Sequence, residues 1–74
     1  MPTATAKQLA QRAAFGKRVR QLRKELSLSQ EDLAHAAGLD RSYVGQVERG
    51  ERNVTLDTIH RLADGLNVKA AQLL

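Results

Sequence analysis

The sequence has no cysteine and a single proline, Pro2, among its 74 residues. The lack of cysteine excludes disulfides and thiolate metal sites, and it suits a reducing compartment. No apolar run approaches the roughly 18 residues of a membrane span, and no signal-peptide core is present, so we expect a cytoplasmic protein without a membrane partner. A chain this short forms one small core, which argues against most enzymes and favours oligomerisation.

Charge is the next feature of the sequence. Twelve Lys and Arg against eight Asp and Glu give a net charge of +4 and a pI near 10.1, which makes a polyanion the first partner to consider. Residues 1–26 carry seven of the basic residues and one acidic residue, Glu25. This basic segment is interpreted as a solvated helix face that can also steer the protein towards DNA at long range.

Hydrophobic spacing predicts an all-α fold without a sheet. Phe15, Val19, Leu22 and Leu26 recur at helical spacing in the first segment, and Gly16 is expected to fray the turn before it. Five helices are predicted, at about 6–26, 30–37, 41–49, 56–64 and 68–73. We expect a flexible N-terminal arm over residues 1–7 and one domain over residues 8–74.

Helix boundaries are marked by capping residues and glycines. Ser29, Asp40 and Thr55 each precede a predicted helix and are suited to cap its first N–H groups. At the other ends, glycines are expected to stop the helices in a left-handed conformation; these are Gly38, Gly50 and Gly65.

The second and third predicted helices are short and separated by a sharp turn at residues 38–40. This spacing predicts a helix-turn-helix over residues 29–49, whose second helix is presented to the DNA major groove. Val44 and Val47 should face inward, which leaves a polar outer stripe. The stripe consists of Arg41, Ser42, Gly45, Gln46 and Arg49.

The side chains of this stripe suit base recognition. Arg41 matches the paired acceptors of guanine, Gln46 matches adenine, and Ser42 can serve either base. A pair between Arg41 and Asp40 is the ordinary alternative. Gly45, expected to be exposed, is interpreted as letting the helix approach the groove closely.

Other groups near the stripe suit phosphate contact. The N–H groups at the start of the second helix, beside Ser29 and Gln30, form an anion site. For Tyr43, packing of the ring on the motif is an alternative to phosphate contact. The predicted phosphate contacts are Ser29, Gln30, Tyr43, Arg49, Arg52 and Asn53.

Four segments resemble the Cro/repressor-type (XRE-like) helix-turn-helix family. They are Leu28-Ser-Gln-Glu-Asp-Leu-Ala34, Gly38-Leu-Asp-Arg-Ser-Tyr43, Gln46-Val-Glu-Arg-Gly-Glu-Arg-Asn53 and Leu62-Ala-Asp-Gly-Leu-Asn-Val68, and the resemblance spans residues 15–74. The second and third are most similar to the controller proteins of restriction-modification systems.

The resemblance implies a five-helix, lambda-repressor-like domain and assigns the same contact residues. Arg41, Ser42 and Gln46 would contact bases, and the implied phosphate contacts are Gln30, Tyr43, Arg49, Arg52 and Asn53. The resemblance also implies a partly buried pair between Arg23 and Glu48. Gly45 departs from the family pattern, where many relatives have a small side chain.

No pattern for catalysis or cofactor binding is present. His35 and His60 lie on different predicted helices without further ligands at metal spacing, and no serine has a His–Asp relay. We therefore expect no enzyme activity, no metal, no cofactor and no small-molecule ligand.

Apolar residues in the last two predicted helices exceed what one small core requires. Some are expected to form a homodimer interface through helices 4 and 5, the alternative being that all pack on the first helix. A dimer would place its two copies of the third helix, which contact the bases, roughly 34 Å apart on a palindromic operator.

The sequence thus predicts a homodimeric transcriptional regulator, either repressor or activator, that acts at the nucleoid by occupying an operator. Bound there, it either blocks RNA polymerase or contacts it as a further partner. Two alternatives remain open. One is the antitoxin of a toxin–antitoxin pair. The other is a protein-interaction adaptor on the same scaffold.

Overall fold

The computed structural model describes residues 3–74, which form four α-helices and a C-terminal 3-10 helix without any strand in this range. The α-helices are α1 (Ala6–Glu25), α2 (Gln30–Ala37), α3 (Arg41–Glu48) and α4 (Leu56–Gly65), and the 3-10 helix spans Ala70–Leu73. The all-α prediction is therefore confirmed. Nowhere in residues 3–74 is a helix both long and apolar enough to cross a membrane.

The fifth predicted helix is a 3-10 helix rather than an α-helix. The N–H of Val68 bonds to the Ala63 carbonyl, which holds this residue to the end of α4 and leaves few residues for a further helix. The remaining segment forms hydrogen bonds between residues three apart, the pattern of a 3-10 helix. These run from the Gln72 N–H to the Lys69 carbonyl and from the Leu74 N–H to the Ala71 carbonyl.

The predicted arm over residues 1–7 overlaps the start of α1. The Thr5 hydroxyl accepts from the Gln8 N–H at 3.1 Å, and the Gln8 side chain accepts from the Thr5 N–H at 2.9 Å. This capping box makes Ala6 and Lys7 part of the first helical turn. The rest of the predicted arm includes Met1 and Pro2, which lie outside the described residues.

One small core joins the helices. Phe15, Val19 and Leu22 of α1 are buried, whereas Leu26 is the C-cap and is 49% exposed. The buried apolar side chains of the other elements are Leu33, Ala34, Ala37, Val44, Val47, Leu62, Ala63, Leu66 and Leu73. The predicted inward faces are confirmed at Phe15, Val19 and Leu22 of α1 and at Val44 and Val47 of α3, whereas the fourth member of the α1 stripe, Leu26, lies outside the core.

Gly16 lies at the closest approach of α1 to α3. A Cβ at this position would collide with the carbonyl oxygen of Val47 and lie 2.8 Å from that of Glu48. The expectation that α1 frays near Gly16 is wrong, because α1 continues unbroken through the glycine and packs its backbone directly on the end of α3. This backbone contact sets the position of α3 relative to α1.

The predicted helix ends are right in two of three cases. Gly38 (φ 68°) and Gly50 (φ 75°) have left-handed conformations after α2 and α3, whereas Gly65 is still helical. A Cβ on Gly65 would lie 3.3 Å from the Ala37 backbone nitrogen, so this glycine serves the packing of α4 on α2. Asn67 takes the left-handed conformation instead (φ 55°).

The capping residues differ in the bonds that they make. Ser29 and Thr55 accept from the backbone N–H groups of Asp32 and Thr58, as predicted. Asp40 occupies the N-cap position of α3 but makes no side-chain capping bond. Its side chain is exposed, so water can satisfy the carboxylate in place of the helix N–H groups.

Candidate nucleic-acid interface

Helix α3 has one buried and one accessible face. Val44 and Val47 are 0% and 2% exposed and anchor α3 in the core. Arg41 and Ser42 are exposed at its start, and Gln46 is half-buried on the following turn. Among residues 3–74, Arg41 forms no ion pair, with Asp40 or any other carboxylate. The three predicted base-contacting side chains are therefore accessible on one short helix.

Behind this face, Arg23 of α1 and Glu48 of α3 form a bidentate ion pair. Arg23 Nε donates to Glu48 Oε2 at 2.6 Å, and Arg23 Nη2 donates to Oε1 at 2.9 Å. The side chains are 10% and 3% exposed. Arg23 Nη1 also donates to the Leu28 carbonyl at 2.8 Å. The pair therefore ties α1, α3 and the entry to α2 together.

Gln30 extends this network instead of pointing away from the protein. Its Nε2 donates to Glu48 Oε1 at 3.2 Å, so the second carboxylate oxygen accepts from both Gln30 and Arg23. Hydrogen bonding to Glu48 keeps the pKa of Arg23 above its ordinary value in spite of burial. The side-chain amide of Gln30 thus helps to hold Glu48 and α3 in place. If Gln30 contacts an anion, it would do so through its backbone N–H.

Gly45 is buried, which corrects the expectation that it lies exposed on the stripe. A Cβ there would lie 3.2 Å from Arg49 Nη1 and 3.5 Å from Gln30 Oε1, because both side chains lie across the glycine. The space above Gly45 is therefore filled by two flexible side chains from the flanks of α3.

Two predicted phosphate contacts, Arg49 and Arg52, follow α3. Arg49 is the C-cap and pairs with Glu51, with Nε 2.7 Å from Oε2 and side chains that are 60% and 51% exposed. The hydrogen bond to Arg49 and the charge of Arg49 lower the pKa of Glu51. In turn, the hydrogen bond to Glu51 and the charge of Glu51 raise the pKa of Arg49. Because the pair is exposed, its charges remain accessible to an incoming anion.

Arg52 folds back onto the accessible face of α3. Its Nε donates to Gln46 Oε1 at 2.8 Å, and its guanidinium carbon lies 5.4 Å from the centroid of the Tyr43 ring. The Tyr43 ring is half-buried against the core, in line with the packing alternative stated above. Arg52, Tyr43 and Gln46 therefore form one polar cluster, and Asn53 lies exposed immediately after it.

The start of α2 supplies accessible backbone donors. Ser29 and Asp32 form a capping box, with the Ser29 N–H 2.9 Å from Asp32 Oδ2. This backbone bond, followed by the bond with the Ser29 side chain, lowers the pKa of Asp32. Within residues 3–74, the N–H groups of Gln30 and Glu31 have no protein acceptor, which fits an anion site at this end of the helix.

The histidines form no metal site in the part of the chain described. His35 and His60 are both exposed, and no group of three or more potential ligands occurs within residues 3–74.

Sequence reasoning missed the bonds from Arg52 to Gln46 and from Gln30 to Glu48. The signal for the first was Gly50, whose left-handed conformation reverses the chain so that the Glu51 N–H bonds to the Gln46 carbonyl. That turn places Arg52 beside Gln46. The bond from Gln30 to Glu48 depends on the distance and angle at which α2 and α3 cross, which the sharp turn at residues 38–40 does not determine.

Comparison with known proteins identifies the family. The helix-turn-helix family model matches residues 19–73. Control protein C.SmaI of Serratia marcescens is 54% identical over 56 residues, covering 76% of this chain and 67% of the relative. Control protein C.BamHI of Bacillus amyloliquefaciens is 45% identical over 64 residues, covering 85% and 79%.

A solved structure agrees with these relatives. The restriction-modification controller protein C.AhdI from Aeromonas hydrophila superposes with a TM-score of 0.86 at 52% identity, covering 88% of this chain and 98% of that one. The chain therefore belongs to the XRE-type helix-turn-helix family of DNA-binding transcription regulators.

Proposed function

We propose that the protein regulates transcription by binding a specific operator through α3. The observation that carries this proposal is the polar face of a helix that is clamped from behind by a buried ion pair. Arg41, Ser42 and Gln46 lie on the accessible side, while Arg23 and Glu48 hold the helix to α1. A rigidly held helix with Arg, Ser and Gln outward suits base-edge recognition in the major groove.

Phosphate contacts would set the register of α3 in the groove. Backbone N–H groups at the start of α2 supply donors without a charged side chain, and Arg49, Arg52 and Asn53 supply donors at the other end of α3. The hydroxyls of Ser29 and Tyr43 complete the set. Neutralising phosphates in this way releases counterions, so binding should weaken steeply with salt.

We further propose a homodimer that uses α4 and the C-terminal 3-10 helix. Leu56 at the start of α4 is 68% exposed and Leu74 at the end of the chain is 82% exposed. Leu74 and half-buried Ile59 line a groove of about 680 Å³ that reaches back to Phe15 of α1. The exposed leucines, together with Ile59, suit a two-fold interface, which would pair two α3 helices with the half-sites of a palindrome.

The relatives favour one physiological role. Several are restriction-modification controller proteins, so we propose that this chain controls the genes of such a system by occupying their promoter and contacting RNA polymerase or blocking it. Its activity would follow its own concentration through dimerisation.

Selection of bound fragments from random duplexes tests the proposed function. We expect enrichment of a palindrome, with a footprint that spans two successive major grooves on one face of the DNA. If a dimer neutralises about eight phosphates, log affinity should fall with log salt at a slope near −7. A well-folded sample that enriches no sequence at low salt would refute the proposal, and a slope near zero with duplex DNA would favour a protein-interaction adaptor.

A further inference from the structure

The cluster of Arg52, Gln46 and Tyr43 fixes one side chain of the proposed reading face. Arg52 Nε donates to Gln46 Oε1 at 2.8 Å, and the guanidinium lies over the Tyr43 ring at 5.4 Å from its centroid. Arg52 is therefore held at two points, by a hydrogen bond and by cation–π contact. The backbone bond from the Glu51 N–H to the Gln46 carbonyl, at 2.9 Å, keeps the loop against α3.

The bond decides which end of the Gln46 amide is available to DNA. Arginine carries donors and no acceptor, so the atom of Gln46 that faces Arg52 must be the carbonyl oxygen. The remaining end of the amide is the Nε2 group, which has two donors. The pair of Gln46 and Arg52 therefore presents donors and positive charge on this part of α3.

A glutamine whose oxygen already accepts from a cation selects bases differently from an unrestrained glutamine. An unrestrained Gln recognises adenine because its oxygen accepts from N6 while its nitrogen donates to N7. Guanine instead presents two acceptors, N7 and O6, in the major groove, and the adjacent guanidinium favours that acceptor-rich edge. With Oε1 engaged by a cation, the match of Gln46 to adenine is weakened and its match to guanine is strengthened.

We infer that Arg52 is a positioning residue that orients Gln46 to recognise guanine rather than the adenine expected from its residue type. This inference rests on the proposed function and names the base chemistry at one position of the operator. The neighbouring Arg49 provides a matched comparison, because it lies in the same loop but pairs with Glu51 instead of Gln46.

The test uses the operator obtained by selection and a set of duplexes in which each base pair of the half-site is changed in turn. Affinities of the wild type and Gln46→Ala across this set identify the base pair whose discrimination depends on Gln46. At that pair we expect the wild type to prefer guanine. Arg52→Met should shift the ratio of adenine to guanine affinity at least about fivefold towards adenine, the size of one base contact.

Two controls separate orientation of Gln46 from other roles of Arg52. Arg49→Met should lower affinity for all duplexes and leave that ratio unchanged. In a Gln46→Ala background, Arg52→Met should no longer alter the ratio, because the side chain that it orients is gone. Thermal unfolding of each variant verifies that it is folded.

Three results would overturn the inference while leaving sequence-specific binding intact. They are a wild-type preference for adenine at the Gln46 base pair, an unchanged ratio in Arg52→Met, and an equal shift in the Gln46→Ala background, which would mean that Arg52 reads the base itself. A wild type that ranks all duplexes equally would instead overturn the proposed function, and this inference with it.

Discussion

Arg23 and Glu48, 25 residues apart in the chain, meet in a two-point ion pair whose side chains are 10% and 3% exposed. Glu48 ends α3, and Arg23 also bonds to the Leu28 carbonyl just before α2. The pair therefore holds both helices of the helix-turn-helix to α1. Gly16, about two turns before Arg23 on the same face of α1, allows the backbones of α1 and α3 to touch near the same point.

Glu48→Ala should lower the free energy of unfolding by about 3 kcal/mol, because it leaves the Arg23 charge buried with no carboxylate to neutralise it. Urea denaturation measures this change. Glu51→Ala is the matched control, since it removes a carboxylate from the exposed pair with Arg49 and should leave stability nearly unchanged. Equal stability of Glu48→Ala and the wild type would contradict a structural role for the pair.

Alanine at two glycines should have opposite effects. Gly16→Ala places a Cβ against the backbone carbonyls of Val47 and Glu48, and we expect a loss of about 3 kcal/mol in the free energy of unfolding. In Gly45→Ala the Cβ meets the movable ends of Arg49 and Gln30, and helix propensity gains up to about 1 kcal/mol. Thermal unfolding compares the two, and a Gly16→Ala variant as stable as the wild type would show that α1 and α3 do not touch there.

Leu56→Ser should weaken dimerisation by about tenfold or more, because each protomer loses an apolar side chain from the proposed interface. Sedimentation velocity over a range of concentrations measures the dimer dissociation constant. Leu9→Ser is a suitable control, since Leu9 is 51% exposed on the first half of α1. Equal effects of the two substitutions would place the interface elsewhere.

Acid should remove the contribution of the α2 capping box. The pKa of Asp32 is lowered in the folded chain by its bonds to Ser29, so the ionised carboxylate favours folding. The contribution of the ionised carboxylate to the free energy of unfolding is complete above the ordinary pKa of an Asp. It is lost as the pH falls through the lower pKa that Asp32 has in the folded chain. Asp32→Asn keeps a side-chain acceptor but cannot titrate there.

Unfolding measured against pH compares Asp32→Asn with the wild type. We expect the wild type to lose stability relative to the variant as pH falls from neutral to acid. A difference between the two proteins that stays constant over this range would contradict the assigned role of the carboxylate.

Local signals predicted most of the helix boundaries. Ser29 and Thr55 cap α2 and α4 as their residue types and positions indicate, and Gly38 ends α2 in the left-handed conformation. These features depend on a few consecutive residues, so they can be recognised without the fold. The exposed positions of Arg41 and Ser42 likewise follow from helical periodicity once Val44 and Val47 are placed inward.

Features that depend on contacts between elements could not be predicted in the same way. Gly45 is buried because Gln30 and Arg49 reach across it from outside α3, and Gly65 stays helical because α4 packs on Ala37. Similarly, the acceptor of Gln46 is engaged by Arg52 only because the loop turns back at Gly50. In each case the deciding contact comes from another segment of the chain.

The affinity of Arg41→Ala for the selected operator and for a scrambled duplex tests the central claim most directly. If Arg41 reads a base, fluorescence anisotropy at fixed salt should show a loss of about 1–3 kcal/mol on the operator and little change on the scrambled duplex. Equal losses on the two duplexes would show that Arg41 supplies charge without reading sequence, and would contradict the account of α3 as the reading helix.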